Sequence, residues 1–133
     1  MPIELSDERA PLMVVTAIGV LTDEQYRRHL VHCTKRLIAR NRPYAYVYDA
    51  TRGERMTATH RKMQADWLTQ NSRAIARLNL GCAFAFSSPM ARGMLRAVHW
   101  LSPLVYEYSV HSTRQAAIEW GLKRLARAGI EAA

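Results

Sequence analysis

The chain has 133 residues, 49% of them hydrophobic and 23% charged, so it suits one domain with an ordinary core and excludes both a second core and a disordered segment. Its longest purely apolar stretches, such as Cys82 to Phe86, fall far below the roughly 18 residues of a spanning helix, and Glu4, Asp7 and Glu8 stand where a secretory signal would need a basic start. The formal charge of +8 is spread over every later helix without interleaved aromatics, which excludes a sequence-selective reader of nucleic acid.

Ile3 and Leu5 alternate with polar residues, and Asp7 to Pro11 is turn-like. A short edge strand is therefore expected to form a hairpin, within residues 1–20, with the β-rich run Leu12 to Val20. Thr22-Asp-Glu-Gln25 supplies an N-cap hydroxyl, two acids for the positive helix end and a capping-box glutamine. Tyr26, Leu30, Cys33 and Leu37 follow at helical spacing until Asn41 to Pro43 stops the helix. Tyr44 to Asp49 reads as a central strand with Tyr44, Tyr46 and Tyr48 on one face and Ala45, Val47 and Asp49 on the other.

Thr51 to Arg55 reads as a loop, and Met56, His60, Met63, Trp67 and Asn71 place a long second helix. Leu80 to Phe86 is a buried strand. Ser88-Pro89 opens a third helix to about Trp100, with serine as cap and proline in the first turn. After Ser102-Pro103 the alternation of Leu104 to Val110 predicts an edge strand. Ser112-Thr-Arg-Gln115 then repeats the capping-box pattern before a closing helix with Ala117, Ile118, Gly121, Leu122 and Leu125 on its apolar face. The resulting order, β-β-α-β-α-β-α-β-α, predicts a single α/β domain: a small, open, mostly parallel sheet of four or five strands with about four helices.

Catalytic and cofactor patterns are missing from this order. His29, His32 and Cys33 share a helix but lack a second cluster to complete a metal site, and His60, His99 and His111 are isolated. Cys33 and Cys82 show no C-x-x-C spacing and read as core thiols in a reducing cytoplasm. The glycines are scattered, so neither a dinucleotide fingerprint nor a phosphate-cradling loop is present and no cofactor is implied. Trp67, Trp100 and Trp120 sit on three helices and read as packing residues. Trp100-Leu101 beside Pro103 is the exception, where an exposed patch would mark a homodimer or a hydrophobic partner.

Gly19, Leu21, Thr22 and Tyr26 at the first strand-helix junction, the strand ending in Asp49, and Ala117 with Trp120 after Val110 form an ordered set across most of the chain. In this set the sequence resembles the STAS, or anti-sigma-factor-antagonist-like, domains and their bacterial SpoIIAA-like branch. The resemblance implies a STAS-like fold over residues 1–133 and a non-enzymatic regulatory or protein-interaction role. The family's best-known switches carry an Asp-Ser or Ser-Ser pair and a glycine at the helix start after the Asp-bearing strand, where serine is phosphorylated. Here that region runs from Asp49-Ala50-Thr51-Arg52-Gly53 to Thr57-Ala58-Thr59.

The expected binding surface lies where the carboxyl ends of the strands meet helix starts: Asp49, Thr51, Arg52 and Thr57 with Ser87, Ser88 and Arg92. A protein partner is the first expectation. A small anionic or lipid-like ligand, carried or sensed where the strand ends meet helix N-termini, as the arginines and the Tyr44 to Tyr48 face would permit, is the alternative.

Overall fold

A computed structural model of the chain describes residues 2–53, 56–101 and 106–132. Strands β1 (Ile3–Arg9) and β2 (Leu12–Gly19) form the expected antiparallel hairpin, with Ile3 opposite Ala17 and Leu5 opposite Val15. Pairing continues to Arg9 opposite Leu12, so the turn is confined to Ala10 and Pro11 and the acidic run before it belongs to the strand. Gly19 ends β2 with φ +64°, a backbone that glycine adopts without steric cost.

Helix α1 (Asp23–Cys33) starts on the capping box. Gln25 N–H donates to Thr22 Oγ1 at 3.1 Å and Thr22 N–H donates to Gln25 Oε1 at 2.9 Å. It continues through a π-helical stretch, Thr34–Ile38, that keeps Leu37 buried beside Cys33. Asn41, at φ 55°, turns the chain into β3.

Strand β3 (Tyr44–Gly53) is longer than its apolar run. Thr51 to Gly53 belongs to the strand rather than to a loop, because Arg52 pairs with Ile18 and Gly53 with Gly19 across a register shift that follows Asp49. Residues 54–55, the end of the expected loop, lie outside the described residues. The expected long second helix is two. α2 (Ala58–Gln70) is capped by Thr57 Oγ1, which leaves Met56 ahead of the helix, and it breaks at Asn71, where α3 (Ser72–Leu78) begins in a new direction. Strand β4 (Asn79–Ala85) and α4 (Pro89–Leu101) follow, then β5 (Tyr108–His111) and α5 (Arg114–Arg127). The first part of the expected edge strand, 104–105, lies outside the described residues. Thr113, not Ser112, caps α5, and Gln115 reaches Glu119 instead of closing a capping box. Among the described residues five α-helices thus stand where about four were expected.

The strand order is β1-β2-β3-β4-β5, with β2 to β5 parallel and β1 antiparallel at one edge. Every parallel step moves the same way, and right-handed crossovers then place all the connecting helices on one face. Packing agrees. Cys33, Leu37, Tyr44 and Leu78 cluster with Trp67, and Val15, Tyr48, Cys82 and Phe84 cluster with Leu95, all on the tyrosine face. Among the described residues the opposite face is covered by α5, whose Ala117 and Leu125 pack on Leu12, Val14, Ala45, Val47, Ala83 and Ala85, with Ile130 and Ala132 beyond the helix against the same cluster.

One helix can cover that face only by lying close to it. Gly121 brings α5 down onto the sheet, since a Cβ there would stand 2.7 Å from Leu12 Cδ1. Gly81 on β4 makes room for Trp120, whose Cη2 would lie 2.6 Å from a Cβ at that position. Trp120 and Trp67 are therefore packing residues as expected, and Trp67 Nε1 also donates to Thr34 Oγ1 at 2.9 Å. Trp100 is 83% exposed, which is the exception the sequence marked. The rest of that segment, 102–105, lies outside the described residues.

Candidate functional site at the strand ends

Parallel register carries Thr16, Asp49 and Ala85 to the same level near the carboxyl ends of β2, β3 and β4. Asp49 is only 3% exposed and faces α5, so its carboxylate needs partners within the protein. It has three bonds. Thr51 Oγ1 donates to Oδ1 at 2.7 Å, Thr51 N–H donates to the same oxygen at 3.0 Å, and Arg114 Nη1 donates to Oδ2 at 3.0 Å. Burial alone pushes the Asp49 carboxyl up, but the Thr51 bonds and the Arg114 guanidinium outweigh it and hold the group below its ordinary value. Arg114 Nη1 also donates to Thr16 Oγ1 at 2.8 Å, which ties β2, β3 and the start of α5 together.

The network extends across β4. Ser87 Oγ donates to the Thr51 carbonyl at 3.2 Å, joining the ends of β3 and β4. Ser88 caps α4, accepting from Ala91 N–H at 3.3 Å. Arg92, one turn into α4, folds back so that Nη1 donates to the Phe86 carbonyl at 2.6 Å and to the Ser87 carbonyl at 3.0 Å. Asp49, Thr51, Ser87, Ser88 and Arg92 thus form one hydrogen-bonded rim. Arg52 is exposed on the last paired turn of β3, opposite Ile18. Thr57 stands apart from this rim as the cap of α2, beside Ala17, Gly19, Tyr48 and His60.

Arg114 and Thr16 were not singled out by sequence. Arg114 reads as one more solvated helix arginine, and the only signal for its role is the parallel register that sets Thr16 beside Asp49. A second polar contact, equally silent in sequence, lies between α1 and α2. His60 is buried, stacks on Tyr26 at a centroid distance of 4.9 Å, and sets Nε2 2.9 Å from Asp23 Oδ1.

On the tyrosine face, Tyr26, Tyr44, Tyr46 and Tyr48 line a cavity of about 40 Å³ between the sheet, α1 and α2, with Cys33 and Trp67 at its walls. Burial pushes the Cys33 thiol up to about 12 and, with the His32 charge, lowers His29 to about 4. Both groups are neutral near pH 7. Cys33 is buried and His32 exposed, the arrangement expected from the helical stripe. Among the described residues, no three His, Cys, Asp or Glu side chains gather as metal ligands, and no helix is long and apolar enough to cross a membrane.

This architecture, a mostly parallel five-stranded sheet with its connecting helices on one face, is a SpoIIAA-like fold. The chain is similar to the crystal structure of an uncharacterized protein of the DUF3478 family with a SpoIIAA-like fold from Shewanella loihica PV-4. The match has a TM-score of 0.70 and 16% sequence identity, and covers 90% of this chain and 93% of that one. No protein-family model matches the sequence, and no curated protein matches it.

Proposed function

We propose that the chain is a non-enzymatic regulatory or interaction module of the STAS-like type, and that the strand-end rim, with Arg52 and Arg114 at its surface, docks an acidic group of a protein partner. The observation that carries the proposal is the continuous chain of bonds from Thr16 through Arg114, Asp49 and Thr51 to Ser87 and Arg92. It links three strand ends and two helix starts, so a partner meets a surface already held in place and loses little ordering entropy on docking.

Two features weigh against the carrier alternative. Ligand pockets generally need about 300–1,000 Å³, and the cavity that the described residues form beneath Tyr44, Tyr46 and Tyr48 is about 40 Å³. Open parallel sheets form their binding crevice where strand order reverses. From β2 to β5 the order never reverses.

Arg52→Glu is the test. Affinity capture from the source cells, quantified by mass spectrometry, should lose the partner recovered by the wild type while the thermal midpoint stays within the effect of an ordinary surface substitution. Undiminished recovery of the same partner would refute the rim as its docking surface. Arg92→Glu is unsuitable here. It removes donors from two carbonyls at the end of β4 and should lower stability by itself.

A further inference from the structure

Helix α4 carries apolar residues outward as well as toward the sheet. Of the four longer helices it separates apolar from polar side chains most strongly, and on its sheet side its own Leu95 packs in the cluster of Tyr48 and Phe84. Yet at steps of three and four along the outward side stand Met90, 71% exposed, Gly93, Met94, 46% exposed, Ala97 and Trp100. This runs about three turns, a length of roughly 15 Å.

Gly93 indicates what covers that face. Glycine in mid-helix is destabilising relative to alanine, and among the described residues no neighbour demands it, since a Cβ there would meet nothing within 4 Å. Gly93 and Ala97, four residues apart, leave a shallow groove between the methionines and Trp100. Such a pair lets a second helix bring its backbone close. A lipid surface gains nothing from a groove. Methionines, unbranched and polarisable, suit a face that must fit against another protein's side chains.

Charge narrows the occupant further. α4 holds Arg92 and Arg96 and no acidic residue, and Arg96 is exposed beside the apolar face. A second copy of this chain would bring another +8 to the contact. From the exposed groove and its charge we infer that the outward face of α4 docks an amphipathic helix of a protein partner that carries acidic residues beside its apolar stripe. This inference concerns a different surface from the strand-end rim and does not depend on it.

The test uses the whole, isotope-labelled chain and two designed helical peptides with the same leucine stripe, one flanked by glutamates and one by lysines. The glutamate peptide should shift the amide signals of 90–100. Gly93→Leu, which fills the groove, should weaken it by about tenfold or more, as expected for a central contact, without lowering the thermal midpoint. Arg96→Glu should transfer the preference to the lysine peptide, and Arg52→Glu should leave binding unchanged. Equal binding of the two peptides or absence of binding would overturn the inference. So would loss of binding in Arg52→Glu, stronger α4 shifts with phosphatidylglycerol-phosphatidylcholine vesicles than with the peptide, or self-association through this face in sedimentation.

Discussion

Gly81 and Trp120 should behave as one unit, and Gly81→Ala should change sign between the presence and the absence of the Trp120 ring. In the wild type, Gly81→Ala places a Cβ 2.6 Å from Trp120 Cη2 and 3.0 Å from Cζ3, inside contact distance of a ring pinned between α5 and β4. Overpacking of this kind costs about 1–3 kcal/mol, offset by about 0.4–1 kcal/mol from the lower entropy of the unfolded alanine chain. The net expectation is a loss of about 1–2 kcal/mol. Trp120→Ala alone should cost about 2–3 kcal/mol, below the range for a fully buried aromatic because the ring is only partly covered. In that background the clash is gone. Arg124 Nε, at 3.4 Å, is the remaining near neighbour, so Gly81→Ala should stabilise by about 0.5 kcal/mol. Urea unfolding of the four proteins, with m-values held constant, measures a coupling of about 2 kcal/mol. A Gly81→Ala effect of the same sign and size in both backgrounds would refute the account of how α5 seats on the sheet.

Two further predictions concern the tyrosine face. His29 titrates at about 4 in the folded chain, against about 6.5 when unfolded, so the unfolded state binds the extra proton and stability falls as pH drops from about 6.5 towards 4, by up to about 3 kcal/mol; His29→Gln should flatten that part of a stability profile, and an unchanged profile would place the ring in water. Cys33 and Cys82 are buried with their thiols pushed up by desolvation, so an aromatic disulfide reagent at mildly alkaline pH should label neither until the protein unfolds. Rapid labelling of the native chain would contradict their placement.

Local chemistry made much of this fold readable. The Thr22–Gln25 capping box, the Tyr44, Tyr46 and Tyr48 alternation and the Ser88-Pro89 helix start each depend on residues a few positions apart, and each forms as its spacing dictates. What escaped depends on distant residues. β3 extends to Gly53 because β2 offers Ile18 and Gly19 as partners, which the polar run from Thr51 does not reveal. Arginines spread along the helices prove to be internal donors. Arg92 serves the end of β4, Arg124 the Leu80 carbonyl at 2.7 Å, and Arg114 the Asp49 carboxylate. The rim was located from the Asp49 and Ser88 ends, but Thr16 and Arg114 come from residues 33 and 65 positions away from Asp49, joined only by the sheet register and α5. For α4, periodicity finds the apolar stripe but does not say which way it faces.

The dependence of one whole sheet face on α5 has a consequence for synthesis. Until α5 and the residues after it have left the ribosome, Leu12, Val14, Ala45, Val47, Ala83 and Ala85 lack the cover that the described residues give them, although all five described strands have already been made. The nascent chain therefore carries a bare, strand-built apolar surface until α5 emerges, the condition under which partly formed domains aggregate or recruit chaperones. Stable folding waits for α5, and a stop codon placed ahead of α5 should yield an insoluble product rather than a smaller domain.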